Sequence, residues 1–362
     1  MWRWNCVICC GLLILALSMC SDRIESEPKI TVVETEISLD HIDAPKRLSE
    51  FDMFDLPLSD MSPKAGVELY TLNSSLFSDY AYKKRFIHLP EGTAMTYHGT
   101  EAFDFPEGSY IFKFFYYPHD FNKPDGDKTI METRVLIKQN DEWIALPYVW
   151  NEDQTDAELS ITGEDIPVAW VDESGEKQEL VYETPNMNDC KSCHEYDKKL
   201  IPIGPTARHL NKLTHINGQD QNQLEYLRTI GWITGMPAIE DCPDIANWED
   251  PESGTLDARA RAYLDINCGY CHHPSGPAKN SALHLHAYVD KPAALGIGKT
   301  PIAAGRGSGG KKYDIEPGNA DASIMVYRMA SDEPGVMMPE IGRKLIHSEG
   351  VDLIAAWIDG MQ

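Results

Sequence analysis

Six residues in two short runs have the types and the spacing to attach a cofactor and ligate its metal. The first run is Cys190, Cys193 and His194, and the second is Cys268, Cys271 and His272, which begins 78 residues later. Two thiols at Cys-x-x-Cys spacing can add to the two vinyl groups of one porphyrin, and the next histidine then lies under the iron. A zinc half-site or a redox disulfide also uses paired cysteines, but neither requires the trailing histidine. The runs therefore predict two covalently bound haem c groups, with His194 and His272 as iron ligands.

A methionine in a Met-Pro pair is the candidate sixth ligand of the second haem. Met338 precedes Pro339 and lies 66 residues after His272. A thioether in the sixth position gives a low-spin iron of raised potential that suits electron transfer. Met337 is the alternative ligand, and either methionine could instead pack in the core, which is the usual role of this residue.

The sixth ligand of the first haem has several candidates. Met236, followed by Pro237, lies 42 residues after His194 and is the preferred one. The alternatives are His209, His215, Met187 or an open position. Gly204-Pro205 resembles the Gly-Pro turn of cytochromes c, and the resemblance implies that the Pro205 carbonyl accepts the second ring N–H of His194 and orients the imidazole.

Helices with one apolar face surround the second Cys-x-x-Cys-His run. One precedes Cys268 and the other closes the chain after Ser348. Their apolar positions are Leu256, Ala260, Tyr263 and Leu264, then Val351, Ile354, Ala355 and Ile358. A helix leading into the haem run and a closing helix against it resemble the plan of small class I cytochromes c.

Residues 48–185 are expected to form β structure. Phe112, Phe114 and Tyr116 alternate with Lys113, Phe115 and Tyr117, which indicates a strand covered on both faces. Hairpins are predicted around residues 139–142 and 174–175. Short strands with frequent turns favour a sandwich- or barrel-like domain. The predicted fold class is multidomain β plus α, in which this domain is followed by two mainly α-helical cytochrome c modules.

The N-terminus has the features of an export signal. Arg3 precedes a 14-residue apolar stretch that is too short to span a bilayer. The end of this stretch resembles the lipobox of bacterial lipoproteins, with Cys20 as the lipidated residue and Met19 where a small residue is usual. The resemblance implies a lipid anchor on the periplasmic side of a bacterial membrane, and the alternatives are an ordinary cleaved signal, giving a soluble periplasmic protein, and an uncleaved anchor.

These observations divide the chain into five predicted segments. They are a signal peptide (1–19), an acidic tether (20–47), a β-rich domain (48–185), a first haem c module (186–254) and a second, class I-like module (255–362).

Charge restricts the possible partners. The chain has 57 acidic and 32 basic residues, a formal net charge of −25, so it lacks the basic surface that nucleic acids require. Contact with a membrane is expected only through the lipid anchor. Residues 151–184 hold 11 acidic residues and one basic residue directly before the first haem run. This segment predicts a docking surface for a basic redox protein, and the alternative is a solvated face that only keeps the protein soluble.

Several stretches outside the two runs resemble a family of bacterial dihaem c-type cytochromes with an N-terminal β domain. They are residues 76–85, 132–134, 148–151, 185–190, 203–205, 210–211, 258–264, 317–319 and Ser323. The resemblance implies an exported protein that transfers single electrons between its haems and a redox partner, and it implies no substrate. The alternative is a dihaem enzyme, peroxidase- or oxidase-like, in which one iron is open or displaceable.

Overall fold

The computed structural model describes residues 44–302 and 304–362, and its largest element is a six-stranded antiparallel sheet. Strands β1 to β7 are Val67–Tyr70, Tyr82–His88, Met95–Thr96, Tyr110–Pro118, Lys128–Gln139, Glu142–Trp150 and Ala157–Leu159. All of them except β3 belong to the sheet, in the spatial order β1-β2-β4-β5-β6-β7.

Both faces of the central strand β4 are covered. On one face Phe112 and Phe114 meet the ring of Phe54 edge to face, with centroids 5.2 and 5.1 Å apart. The other face presents Lys113 and Phe115 to the part of the chain that contains the two Cys-x-x-Cys-His runs. The sheet is therefore a wall between an aromatic core and the candidate site.

The two hairpins predicted from the sequence are present. Gln139 pairs with Glu142 across a turn in which Asn140 and Asp141 have φ angles of 54° and 62°, a left-handed conformation that these residue types tolerate. Strands β8 and β9, Asp165–Val171 and Lys177–Glu183, form the second hairpin around Gly175.

The segment with the first run consists of short elements that pack on the sheet. Helices α1, α2 and α3 are Met187–His194, Ala207–Leu210 and Gln223–Thr229, and strands β10 to β14 are Glu195–Tyr196, Lys199–Leu200, Leu213–Ile216, Gln219–Asn222 and Ile233–Thr234. Leu210, Leu224 and Leu227 share one apolar core with Ile87 and Leu136 of the sheet. Strand β14 also pairs with β3.

The segment with the second run has a core of its own. Helices α4 to α7 are Leu256–Leu264, Pro292–Leu295, Ile324–Met329 and Ser348–Asp359. Tyr263 and Leu264 of α4 pack with Ile354 and Trp357 of α7 in this core. Both helices are present where the sequence predicted them.

The predicted fold class is wrong. Strands occupy slightly more residues than helices in the described part of the chain, and one large antiparallel sheet replaces the expected sandwich or barrel. The two mainly α-helical modules are not found, because α2 and α5 have four residues each and much of the intervening chain is irregular. Helices this short cannot bury a core alone, so those after the first run pack on the sheet instead. Residues Pro45–Gln362 form one compact unit.

Three predictions concern residues wholly or mostly outside the described part of the chain: the signal peptide, 1–19, lipidation of Cys20, and the acidic tether, 20–47. Within the described residues, none of the helices has the length and apolar character needed to span a bilayer.

Candidate functional site

The first run lies on helix α1, which begins with a capping interaction. The Asn186 side chain accepts hydrogen bonds from the backbone N–H groups of Asn188 and Asp189, which satisfies two donors at the start of the helix. Cys190, Cys193 and His194 follow in its last turns. The helix thus places two thiols and an imidazole along one short stretch of rigid backbone.

A backbone carbonyl fixes the orientation of His194. The Nδ1–H group donates to the carbonyl oxygen of Ile201 at 2.7 Å, and the β10–β11 hairpin brings that carbonyl into place. The sequence pointed to Pro205 for this contact, but the Pro205 carbonyl accepts the backbone N–H of Phe103. Burial lowers the pKa of His194 to about 4, so the ring is neutral and its Nε2 lone pair is free.

The second run begins where α4 widens into a π-helical turn, Asp265–Gly269. Such turns displace the following side chains and are frequent at functional sites. His272 Nδ1 lies 2.9 Å from Ser281 Oγ, and this hydroxyl donates to the Ala278 carbonyl. The hydroxyl therefore accepts the imidazole N–H, which again leaves Nε2 free.

Both runs line a single cavity of about 920 Å³, at the upper end of the range for small-molecule pockets. All six residues of the two runs line it: Cys190, Cys193, His194, Cys268, Cys271 and His272. The thiols of Cys193 and Cys271 interact directly, which lowers the pKa of Cys193 and raises that of Cys271. Two groups attached through these runs would consequently be neighbours within one enclosure.

A row of three cations on the sheet faces the same cavity. Arg85, Lys113 and Arg134 lie side by side in register on β2, β4 and β5. Arg134 binds the buried carboxylate of Glu132 through two nitrogens, Nε at 3.0 Å and Nη2 at 2.5 Å. Arg85 is 8% exposed, and its Nη2 atom has no hydrogen-bond partner among the described residues.

This row fits a bound group with carboxylates. Buried cations require compensating anions, and Glu132 supplies one negative charge to the two guanidinium groups of Arg85 and Arg134. Haem has two propionates, and guanidinium groups are well suited to bind carboxylates. The cavity thus combines thiols, free imidazole nitrogens and unpaired cations, which is the set of groups that two c-type haems need.

Met338 and Met337 also line the cavity, on the loop between α6 and α7. The backbone N–H of Met338 donates to the carbonyl of Arg328 at 3.0 Å, and the guanidinium of Arg343 donates to the Met338 carbonyl at 3.0 Å. Arg343 is buried and also donates to the carbonyls of Ser331 and Leu345. A single side chain therefore holds the methionine loop in place.

The other candidates for the sixth position of the first haem lie outside the main cavity. Met236 packs against the apolar core shared by α3 and the sheet. His215 is exposed and contacts Asp220, and Met187 is the partly buried first residue of α1. His209 is buried, and its Nε2 lies 2.9 Å from Asp265 Oδ2.

Asp265 is a residue that the sequence reasoning missed. It is 3% exposed and binds Arg208, His209 and His286. Although burial alone would raise it, the charge of Arg208 and the hydrogen bonds from both histidines hold the pKa of Asp265 well below its usual value. The carboxylate ties α2, which follows the first run, to the start of the second run.

A second missed contact joins the sheet to the methionine loop. The Asp79 carboxylate accepts the backbone N–H groups of Lys344 at 2.8 Å and Leu345 at 2.7 Å. Phe77 stacks on His347 with ring centroids 4.1 Å apart. Residues 76–85 are among the stretches that carry the family resemblance, but the partners of Asp79 lie more than 260 residues away along the chain, so the sequence does not indicate the contact.

Comparison with known proteins gave no match: no family model, no curated protein and no solved structure is detectably similar to this chain.

Proposed function

We propose that this protein carries two covalently bound haem c groups and transfers single electrons between them and a redox partner. The observation that supports the proposal is the shared cavity, into which both Cys-x-x-Cys-His runs open with a free Nε2 on each histidine. When bound, haem c supplies reversible one-electron chemistry at iron. Thioether bonds at the four cysteines would hold the groups, while His194 and His272 would ligate the irons.

The arrangement of the runs favours transfer between the two groups. Cys193 and Cys271 are the second cysteines of their runs, and their thiols are in contact. Macrocycles attached at these positions would approach each other at one edge. Electron transfer becomes faster as the gap between redox centres narrows, so this contact supports an electron carrier with rapid internal exchange.

The surrounding protein would tune the second haem toward electron transfer. Met338 would occupy the sixth position, and Arg343 would keep the thioether in place through its bond to the Met338 carbonyl. Arg85 and Arg134 would bind propionates from the sheet side. With Met338 bound, the second iron would have no open position for a substrate, which favours a carrier over a catalyst at this haem.

The zinc and disulfide alternatives find less support in the geometry. A four-ligand zinc site has Zn–S bonds of about 2.3 Å, so its sulfur atoms converge. Within residues 44–302 and 304–362, no three His, Cys, Asp or Glu side chains converge in this way. The five cysteines in this part of the chain are all unpaired, although Cys193 and Cys271 touch.

Variants of the first run test the proposal. Replacing both Cys190 and Cys193 with alanine should leave one haem per chain, measured by the pyridine haemochrome spectrum of protein produced in a host that matures cytochromes c. The matched control is Cys242→Ala, which removes a buried thiol outside both runs and should keep two haems. Two haems in the double variant, or none in the wild type, would overturn the proposal.

Location and partner are part of the same proposal. A lipid at Cys20 would hold the protein on the periplasmic side of a bacterial membrane, and a soluble periplasmic form is the alternative. The acidic residues 151–184 include the β8–β9 hairpin, and Tyr182 and Glu183 at its end line the cavity. A basic redox protein bound at this hairpin would come close to the first haem.

A further inference from the structure

The side chains that line the main cavity are the possible sources of the sixth ligand of the first haem. None of the candidates named from the sequence, Met236, His209, His215 and Met187, lies at the main cavity. One face of the sheet does line the cavity. Its side chains there are Arg85, Lys113 and Arg134, together with Ile111, Phe115, Leu136 and Ala145. The side chains of this wall are therefore the ones to compare.

Only one polar side chain on this wall suits iron. The guanidinium groups of Arg85 and Arg134 have donors but no available lone pair. The phenol of Tyr70 also lines the cavity, but burial raises its pKa to about 12, so it stays protonated. Lys113 is left, because an amine gains a lone pair once it loses its proton.

The other sulfur and imidazole groups at the cavity belong to the segment around the second haem. They are Met325, Met329, Met337, Met338 and His347, from α6 and the loop before α7. His347 is already engaged, since its Nδ1 lies 3.0 Å from the Tyr263 hydroxyl and its ring stacks on Phe77. These groups are therefore assigned to the second site.

Lys113 is near the first run and free to bind. Cys190 of the first run packs in one apolar core with Ile111, Leu136 and Ala145, which lie on the same face of the sheet as Lys113. Within the described residues its Nζ atom makes no ion pair and no hydrogen bond, and it lies over the Phe115 ring, 4.6 Å from the centroid. By contrast, the nearby Lys83 donates to the Ala81 carbonyl at 2.8 Å and is not at the cavity.

We propose that the Nζ atom of Lys113 is the sixth ligand of the first haem iron. The proposal rests on the proposed function, because it requires a haem at the first run. It makes the sheet part of the redox centre, and it gives the two haems different ligand pairs, histidine and lysine at the first and histidine and methionine at the second. An amine is a harder donor than a thioether, so the first haem would have the lower potential.

The electrostatic surroundings are consistent with a neutral amine. Burial lowers the pKa of Lys113 well below its usual value, and the charges of Arg85 and Arg134 lower it further. Buried lysines shift in this direction because the charged form loses its hydration.

Spin state tests the proposal directly. In the oxidised wild type, electron paramagnetic resonance should detect two low-spin irons. Lys113→Leu should convert half of the iron to high spin, and Lys113→His should restore low spin, since imidazole also binds iron. The matched control Lys83→Leu, on the same face of the sheet, should leave both irons low-spin.

Two results would overturn the ligand assignment: a high-spin iron in the wild type, or two low-spin irons in Lys113→Leu. The second result combined with a lowered potential of one haem would indicate that Lys113 binds a propionate instead. The haem count of each variant is measured in parallel. If Lys113→Leu keeps two haems, an unexpected spin state counts against the ligand assignment and not against the proposed function. If Lys113→Leu loses haem, the spin state of Lys113→His tests the ligand assignment instead.

Discussion

At the scale of single residues, the hydrogen bonds of the two histidines decide which ring nitrogen faces the cavity. His194 donates Nδ1–H to a backbone carbonyl, and His272 donates its own to a serine hydroxyl. Such partners fix the tautomer of a ligand histidine and strengthen it as a donor. Arg343, buried beneath the Met338 loop, would hold a methionine ligand in place in the same way.

Substitution of Met338 tests its proposed role as the sixth ligand of the second haem. Met338→His should keep this iron low-spin and lower its potential by a measurable part of the roughly 0.8 V range that axial ligands span. The reason is that imidazole donates to the iron more strongly than a thioether does. Redox titration of the two haems measures the change.

Met337→Leu is the control for this experiment, because Met337 lines the same cavity and should leave both potentials close to those of the wild type. If Met337→Leu lowers the potential and Met338→His does not, the ligand is one residue earlier. Unchanged potentials in both variants would remove the loop from the coordination sphere.

At this scale a local pattern suggests a chemistry, which stays a prediction here, whereas contacts between distant residues leave no pattern in the sequence. The cysteine and histidine runs are contiguous, so their spacing alone indicates their chemistry. Asp265 binds Arg208, which lies 57 residues earlier, and no sequence pattern near either residue predicts this contact. From the sequence, Lys113 is predicted only to be one residue of a strand with alternating faces. Its position at the cavity depends on the packing of the first run against the sheet, which the strand pattern does not predict.

At the scale of elements, the crossing of α4 and α7 depends on a glycine. A Cβ atom added at Gly350 would overlap the phenol ring of Tyr263. Tyr263 is buried, and its hydroxyl lies 3.0 Å from His347 Nδ1, so the ring has little room to move. The close approach keeps the second run and the methionine loop in one rigid unit.

Gly350→Ala should therefore destabilise the protein by about 1–3 kcal/mol, the usual cost of overpacking a core. Urea unfolding followed by tryptophan fluorescence measures the loss. Gly360→Ala is the matched control in the same region, since its Cβ would make only ordinary contacts, and a change within about 0.5 kcal/mol is expected there. Equal effects of the two substitutions would contradict the tight crossing.

Secondary structure was predictable where turn chemistry and periodicity agree. The Asn140-Asp141 turn and the apolar faces of α4 and α7 are examples. The α-helical modules were predicted from their resemblance to small cytochromes, and the structure differs because α2 and α3 complete the core of the sheet. Periodicity within a segment does not reveal whether that segment buries its apolar face alone or against a distant strand.

At the scale of the whole molecule, charge is distributed unevenly around the cavity. The acidic β8–β9 hairpin reaches the cavity through Tyr182 and Glu183. Some of its carboxylates have structural partners: Asp172 accepts from Ser174 and Glu176 within the turn, and Asp165 lies 3.4 Å from Lys344 Nζ. Glu179 pairs with Lys177 and Glu183 with Lys344. Among the described residues, Glu164, Glu173 and Glu176 of this segment make no ion pair, so they are the carboxylates a basic partner could bind.

Electron exchange with a small basic cytochrome should slow steeply as ionic strength rises. Charge steering raises encounter rates by roughly 10- to 1,000-fold, and salt screens it over about 8–10 Å. Changing Glu164, Glu173 and Glu176 to glutamine should flatten this dependence without shifting either haem potential. Stopped-flow rates over a salt series provide the measurement.

The control changes three exposed glutamates elsewhere, Glu91, Glu142 and Glu252, and has the same net charge. It should retain most of the salt dependence. A wild-type rate that is insensitive to salt, or equal effects in the two triple variants, would leave the hairpin as a solvated face.

The central claim is that two haems are covalently attached within one polypeptide, and intact mass measures this most directly. Protein from a host that matures cytochromes c is extracted with acidified acetone, which removes haem that is not covalently bound. The mass should then equal that of the processed polypeptide plus two haems, with fragments containing Cys190 and Cys268 each retaining one. A mass equal to the polypeptide alone, or to the polypeptide plus zinc before extraction, would contradict the account.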